Sequence, residues 1–171
     1  MRHTVLLDSD GTVFAVGDNR HFQLGSSSPP MSSSPQPIPV PLPVDATITH
    51  IDSGWSHCIA VSTINSVYGW GRNDHGQLGA KLPAAKSSAP ILLSIPLPFG
   101  ETLKMAACGP EYTVVMSSTG QPYGCGWNEH GTLGVGDTDD RFEFVEIKVD
   151  GSILRENVEH LGVGGAHVIV C

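Results

Sequence analysis

A chain of 171 residues with 40% hydrophobic content is long enough to bury a sizeable core, yet no apolar run approaches the roughly 20 residues of a membrane span. Its opening residues, MRHTVLLDSDG, lack an apolar stretch of signal-peptide length, so the expected place of action is cytosol or nucleus, with no membrane partner. The formal charge of −8 is uneven: six acids and five bases over residues 1–100, eleven acids and four bases over 101–171, which argues against the clustered Lys and Arg of a nucleic-acid footprint.

Along the chain, HTVLLDSDG from His3 reads as a strand and turn, followed by the loop GDNRHFQLG from Gly17. Residues 26–43 are of low complexity, SSSPPMSSSPQPIPVPLP. The segment PQPIPVPLP suits an outermost strand, where proline is tolerated because one edge has no ladder partner, preceded by a flexible serine loop. A polyproline II ligand for an SH3-type groove is the competing reading. The next stretch predicts strands over residues 49–52, 57–62 and 67–70, the loop GRNDHGQLG from Gly71, and a last strand over 90–95. A third stretch repeats this order, with MAACGPEYTVV, the loop GWNEHGTLG from Gly126 and an acidic loop at Asp137–Asp140. The chain closes on LGVGGAHVIVC.

The three loops begin 54 and then 55 residues apart, and an upstream block places Gly54, Gly109 and Gly164 at intervals of 55, each three residues before His57, Tyr112 or His167. Such regular recurrence marks an array of one structural unit. Four short antiparallel strands per unit make one blade, so the expected fold is all-β, a partial β-propeller of about three four-stranded blades. The expected divisions are 1–44 (a blade lacking its inner strand), 45–98 and 99–150 (complete blades), and 151–171 (the inner strand pair of a further blade). Gly71 and Gly76 would allow close backbone approach or positive φ, Gly79 would redirect the chain, and Gly17, Gly25, Gly126 and Gly134 are structural residues of the other two copies. Asn19, Asn73 and Asn128 would hold the loop through local hydrogen bonds. Phe22 stands where the other copies have Gly76 and Gly131, which predicts a differently shaped first loop with Phe22 shielding a neighbour.

His21, His75 and His130 share one repeat position, as His3, His57 and His167 share another; residues recurring once per blade read as struts, not as ligands converging on a metal. Cys58, Cys108, Cys125 and Cys171 form no CxxC pair and read as buried structural thiols. No GxSxG elbow, phosphate loop or HExxH is present, so neither a cofactor nor catalysis on a small molecule is expected. Surface recognition remains, since loops on a rigid scaffold carry function. Trp55 and Trp127 sit where the other copies need no aromatic, and tryptophan is enriched at binding hot spots. Asp74 and Glu129 share a repeat position, and Asp137, Asp139 and Asp140 form the acidic loop; these seven are the candidate partner-binding residues.

The pairing of a GxxH turn with a WGxNxxGQLG loop resembles the repeats of the regulator of chromosome condensation family, over essentially the whole chain. GWSH at 54–57, WGRNDHGQLG at 70–79 and GWNEHG at 126–131 are most similar to the C-terminal half of its secretion-regulating exchange-factor and fungal alpha-tubulin-suppressor branch. That resemblance implies a seven-bladed ring, of which this chain supplies a C-terminal arc too short to close, and a natural C-terminus at GGAHVIVC. A truncated product, or a half-ring completed by a second chain, is the corresponding expectation. It also implies a protein partner, either a small zinc-binding protein, as for a noncatalytic scaffold, or a Ran-like or other small GTPase, as for a guanine nucleotide exchange factor.

Overall fold

A computed structural model describes residues 2–26, 32–148 and 160–170. Residues 27–31 of the serine loop, residues 149–159 and Cys171 lie outside the described residues. Four antiparallel sheets follow one another in chain order. The first holds β1 (His3–Leu7), β2 (Val13–Asp18) and β3 (Ser33–Pro39). The second holds β4 (Ile48–Ser53), β5 (His57–Ser62), β6 (Val67–Arg72) and β7 (Lys86–Leu92). The third holds β8 (Leu103–Cys108), β9 (Tyr112–Ser117), β10 (Pro122–Gly126) and β11 (Arg141–Glu146). The last is the pair β12 (Leu161–Val163) and β13 (Val168–Val170). Strands pair in simple meander order, and successive sheets meet along β1 and β4, β4 and β8, and β8 and β12, as blades do around a propeller axis.

The strand sequences explain this stacking. β5 (HCIAVS) and β9 (YTVVMS) are apolar on both faces and buried nearly throughout, because a sheet lies on each side of them. β1 alternates instead, with Val5 and Leu7 packed against the first core while Thr4 and Leu6 face solvent. The cores accordingly lie between sheets. Val13, Leu24, Val40, Ile48, Ala60, Tyr68 and Trp70 fill the first junction. Ile59, Val67, Leu78, Leu103, Val115, Tyr123 and Phe144 fill the second. Tyr112, Val114 and Leu133 fill the third, with the partly buried Leu161, Val163 and Val168 against them.

Two expectations are corrected. The outer strands start earlier than the apolar pattern indicates: β7 begins at Lys86, four residues before Pro90, and β3 begins at Ser33 and ends at Pro39. A register shift between Gly69 and Gly71 lets polar Lys86 and Ser87 pair with Arg72 and Gly71, and the first sheet repeats it between Ala15 and Gly17. A bulge thus carries the pairing into segments that no hydrophobic alternation marks. The first loop, in turn, has the same shape as its copies. Phe22 adopts φ 63° where Gly76 has 82° and Gly131 has 69°, and its N–H donates to the Asn19 carbonyl at 3.0 Å, as in the other two loops. The left-handed conformation is imposed on a bulky residue by bonds on either side of it. The Phe22 ring lies 4.6 Å beneath the Lys86 ammonium of the neighbouring outer strand.

Candidate functional site

Strand direction sorts the connections onto two faces. The β4–β5 and β8–β9 turns and the long β2–β3, β6–β7 and β10–β11 loops leave the sheets at one end, and all seven candidate partner-binding residues lie there.

Each loop is bracketed by its asparagine. The Asn19, Asn73 and Asn128 side-chain carbonyls accept the N–H of Leu24, Leu78 and Leu133 at 2.9–3.0 Å, while their amides donate across the loop mouth to Ser26, Ala80 and Asp137. Only Asn fits, since it must accept inward and donate outward at once. Gly17, Gly71 and Gly126 have φ of 110°, 100° and 107°, and a Cβ there would strike the carbonyl of Arg2, Ser56 or Glu111. A Cβ on Gly79 would enter the Phe144 ring of the next sheet. Gly25 and Gly134 share its left-handed backbone, with φ of 66° and 61°.

The upstream Gly-x-x-aromatic block is a strut between sheets. The rings of His57, Tyr112 and His167 lie flat on Gly54, Gly109 and Gly164, where any side chain would collide. The Thr113 hydroxyl gives its hydrogen to the Gln77 carbonyl at 2.7 Å, so it accepts from His57 Nε2–H at 3.0 Å. That assigns the Nε2–H tautomer and leaves the Nδ1 lone pair facing Gly54, without a partner. His3 repeats the relay through the Cys58 thiol, 3.2 Å away, which donates on to the Gln23 carbonyl at 3.5 Å. Burial keeps both rings neutral, with the His57 pKa pushed down to about 3 and that of His3 lowered. At the third junction the Tyr112 hydroxyl reaches Gly164 and His167, 2.8 Å from each carbonyl. Burial also raises the thiol pKa of Cys58, Cys108 and Cys125, which keeps these thiols protonated and unreactive.

On the face itself, the candidates divide by what they touch. Arg72 holds Asp74 through Nε at 2.8 Å and the neighbouring sheet's Glu111 at 2.6 Å. His75 continues the chain, with Nδ1 2.8 Å from Asp140 and Nε2 3.4 Å from Glu111. The second Asp140 oxygen accepts the Asn128 N–H at 2.8 Å. Asp74 and Asp140 therefore belong to a belt joining the second and third sheets. Asp137 is bound by Arg141, which lowers its pKa, and also accepts the Asp139 N–H. Trp127 is half-buried, edge-on to the ring of His130 at 5.0 Å. The exposed groups are Trp55, at 56% of its surface, and the Glu129, Asp139 and Arg141-bound Asp137 side chains. Trp55 is fixed by its N–H to the Pro110 carbonyl at 2.8 Å, and it borders a hollow of about 200 Å³ with Arg2, Asp18, Arg20 and His21. In that hollow Asp18 pairs with Arg20, whose hydrogen bonds lower the Asp18 pKa to about 2. The first loop thus holds Asp-Asn-Arg where the second holds Arg-Asn-Asp, the same ion pair with its ends exchanged. Sequence reading missed Arg72 and Glu111 because their bond spans 39 residues, although Arg72 two positions before Asp74 was a visible cue. Among the described residues, no group of three or more His, Cys, Asp or Glu is arranged to hold a metal.

The sequence profile of the Regulator of chromosome condensation (RCC1) repeat matches residues 10–61 and 65–116. The chain belongs to the RCC1 repeat family. It is 36% identical over 122 residues to the ultraviolet-B receptor UVR8 of Arabidopsis thaliana, covering 71% of this chain and 26% of that protein. It is 31% identical over 149 residues to the secretion-regulating guanine nucleotide exchange factor of Mus musculus, covering 78% and 31%. The crystal structure of Prp20p from Saccharomyces cerevisiae superposes with a TM-score of 0.87 at 24% identity, over 99% of this chain and 41% of Prp20p, which shows the RCC1 propeller fold. The chain thus spans roughly a quarter to two fifths of these three proteins.

Proposed function

We propose that this RCC1-repeat chain is a noncatalytic interaction scaffold that binds a protein partner through the loop face carrying Trp55. The observation that carries this reading is Trp55 itself, a large apolar ring more than half exposed on a turn fixed between two sheets. A rigid aromatic beside a charged hollow binds with little ordering cost, and Glu129 and Asp139 add an acidic flank suited to a basic surface rather than to nucleic acid. A second chain completing the ring fits the same reading, because Leu6 is 44% exposed where its repeat equivalents Ala60 and Val115 are fully buried.

Guanine nucleotide exchange on a small GTPase is the second reading, favoured by the exchange factor among the relatives and by the reported binding of Prp20p to Gsp1p. A GDP-release assay on a panel of small GTPases separates the two. The scaffold reading expects no acceleration at catalytic concentrations of this chain, and acceleration overturns it. Crosslinking of wild-type and Trp55→Ala chains in cell extract then tests the face: partners lost in the variant are expected, and an unchanged set counts against Trp55.

A further inference from the structure

The opposite end of the sheets carries a second repeated device. Residues 40–48 (VPLPVDATI) and 95–103 (IPLPFGETL) connect one sheet to the next and correspond at a spacing of 55. In each, the leucine N–H donates back two residues, Leu42 to Val40 and Leu97 to Ile95, both at 2.8 Å. In each, the second proline's carbonyl then accepts an N–H three residues on, from Ala46 or Glu101, at 3.0 Å. Leu42 and Leu97 turn in against the cores. The residue after the second proline is held fully in water: Val44 at 107% and Phe99 at 109% exposure. Ile64, 66% exposed, tops the β5–β6 hairpin at the same end of the second sheet. That hairpin tip also walls a cleft of about 700 Å³, with Leu103 and Met105 on its other side.

A single exposed apolar side chain needs no explanation, but the same exposure on two copies of a proline-braced turn presents them as fixed knobs. The charges around them are mainly negative: Asp8 and Asp10 at the β1–β2 turn, Asp45 beside Val44, and Glu101 two residues after Phe99, against Lys104 and Lys148. We infer that this face, distinct from the Trp55 face, docks a cationic segment of a protein partner whose apolar side chains pack on Val44, Ile64 and Phe99. Burying each knob on a preformed turn favours binding without ordering the backbone, and the acids speed encounter with a basic partner.

Fluorescence anisotropy of the whole chain with a labelled peptide of alternating leucine and lysine tests this, with leucine–glutamate and serine–lysine peptides as controls. Binding only of the leucine–lysine peptide is expected, weakened at least tenfold by Val44→Ser with Phe99→Ser and several-fold by Asp45→Lys. Both positions are solvent-exposed, so an unchanged circular-dichroism melt is expected, and the Trp55→Ala chain should bind like wild type. Equal binding of the glutamate peptide, or by the double variant, overturns the inference. So does sedimentation of the wild type as a dimer that Phe99→Ser dissociates, or Phe99-dependent binding to phosphatidylcholine vesicles; either would assign the knobs to a second copy or to a lipid surface.

Discussion

The first and third sheet junctions use the same parts to different effect. At the first, the Trp70 indole is fully buried, its Nε1–H donating to the Gln23 carbonyl at 2.8 Å, while the Cys58 thiol completes a relay to the same carbonyl. At the third, Val168 holds the position of Cys58 and Thr113, so the relay has no hydroxyl or thiol, and Tyr112 hydrogen-bonds directly to the Gly164 and His167 carbonyls. The second junction lies between them in chemistry, with Cys125 in place of Trp70 and 3.6 Å from the Gln77 carbonyl. The repeat therefore fixes where sheets touch, while individual substitutions set how strongly each junction holds.

The largest effect that would break this contrast comes from Trp70→Ala. It empties the first junction and leaves the Gln23 carbonyl short of a donor, so urea unfolding should show a loss of about 3–5 kcal/mol. A loss below about 1 kcal/mol would mean that the first junction is no tighter than the third.

Acid should then separate the junctions. The folded pKa of His57 lies below its ordinary value, so its stabilising contribution is complete above pH 6.5 and is lost as pH falls toward about 3; His3 acts in the same direction. Stability measured by urea titration should fall by about 1.4 kcal/mol per pH unit for His57 within that window, with His3 adding to the loss. His57→Gln, which keeps a donor for Thr113, should remove one proton from the slope. Tyr112 behaves oppositely: burial raises its pKa from the ordinary value near 10. The third junction is therefore intact below pH 10 and loosens above it, which hydrogen exchange at the Gly164 amide would report.

Tyr112→Phe should cost about 1 kcal/mol and raise exchange at the β12–β13 amides, with the first sheet unchanged. Phe22→Gly is the smallest change, within about 0.5 kcal/mol of wild type by thermal melt, because relief of the left-handed backbone offsets loss of the contact with Lys86.

Much of this was legible in the sequence. Periodicity and glycine spacing pointed to an all-β propeller arc and to the corners of its loops, because a repeated backbone geometry demands repeated residues. Long-range partnerships were not legible: the Arg72–Glu111 bond and the docking of Gly79 under Phe144 depend on how two sheets meet, which no local pattern encodes. Phe22 misled because side-chain identity suggested a changed loop, whereas hydrogen bonds on both sides of it set the backbone. Asp140 looked like the tip of an exposed loop because nothing nearby in sequence shows that His75, 65 residues away, sits against it.

The buried thiols make the junctions separately observable in time. Cys58 lies in the first core and Cys125 in the second, each closed off by neighbouring sheets. Each can react with an aromatic disulfide reagent only in the moments when its junction parts. With Cys108 and Cys171 replaced by alanine, and single-thiol versions made at Cys58 and Cys125, the reaction rate becomes a clock for the opening of one chosen seam.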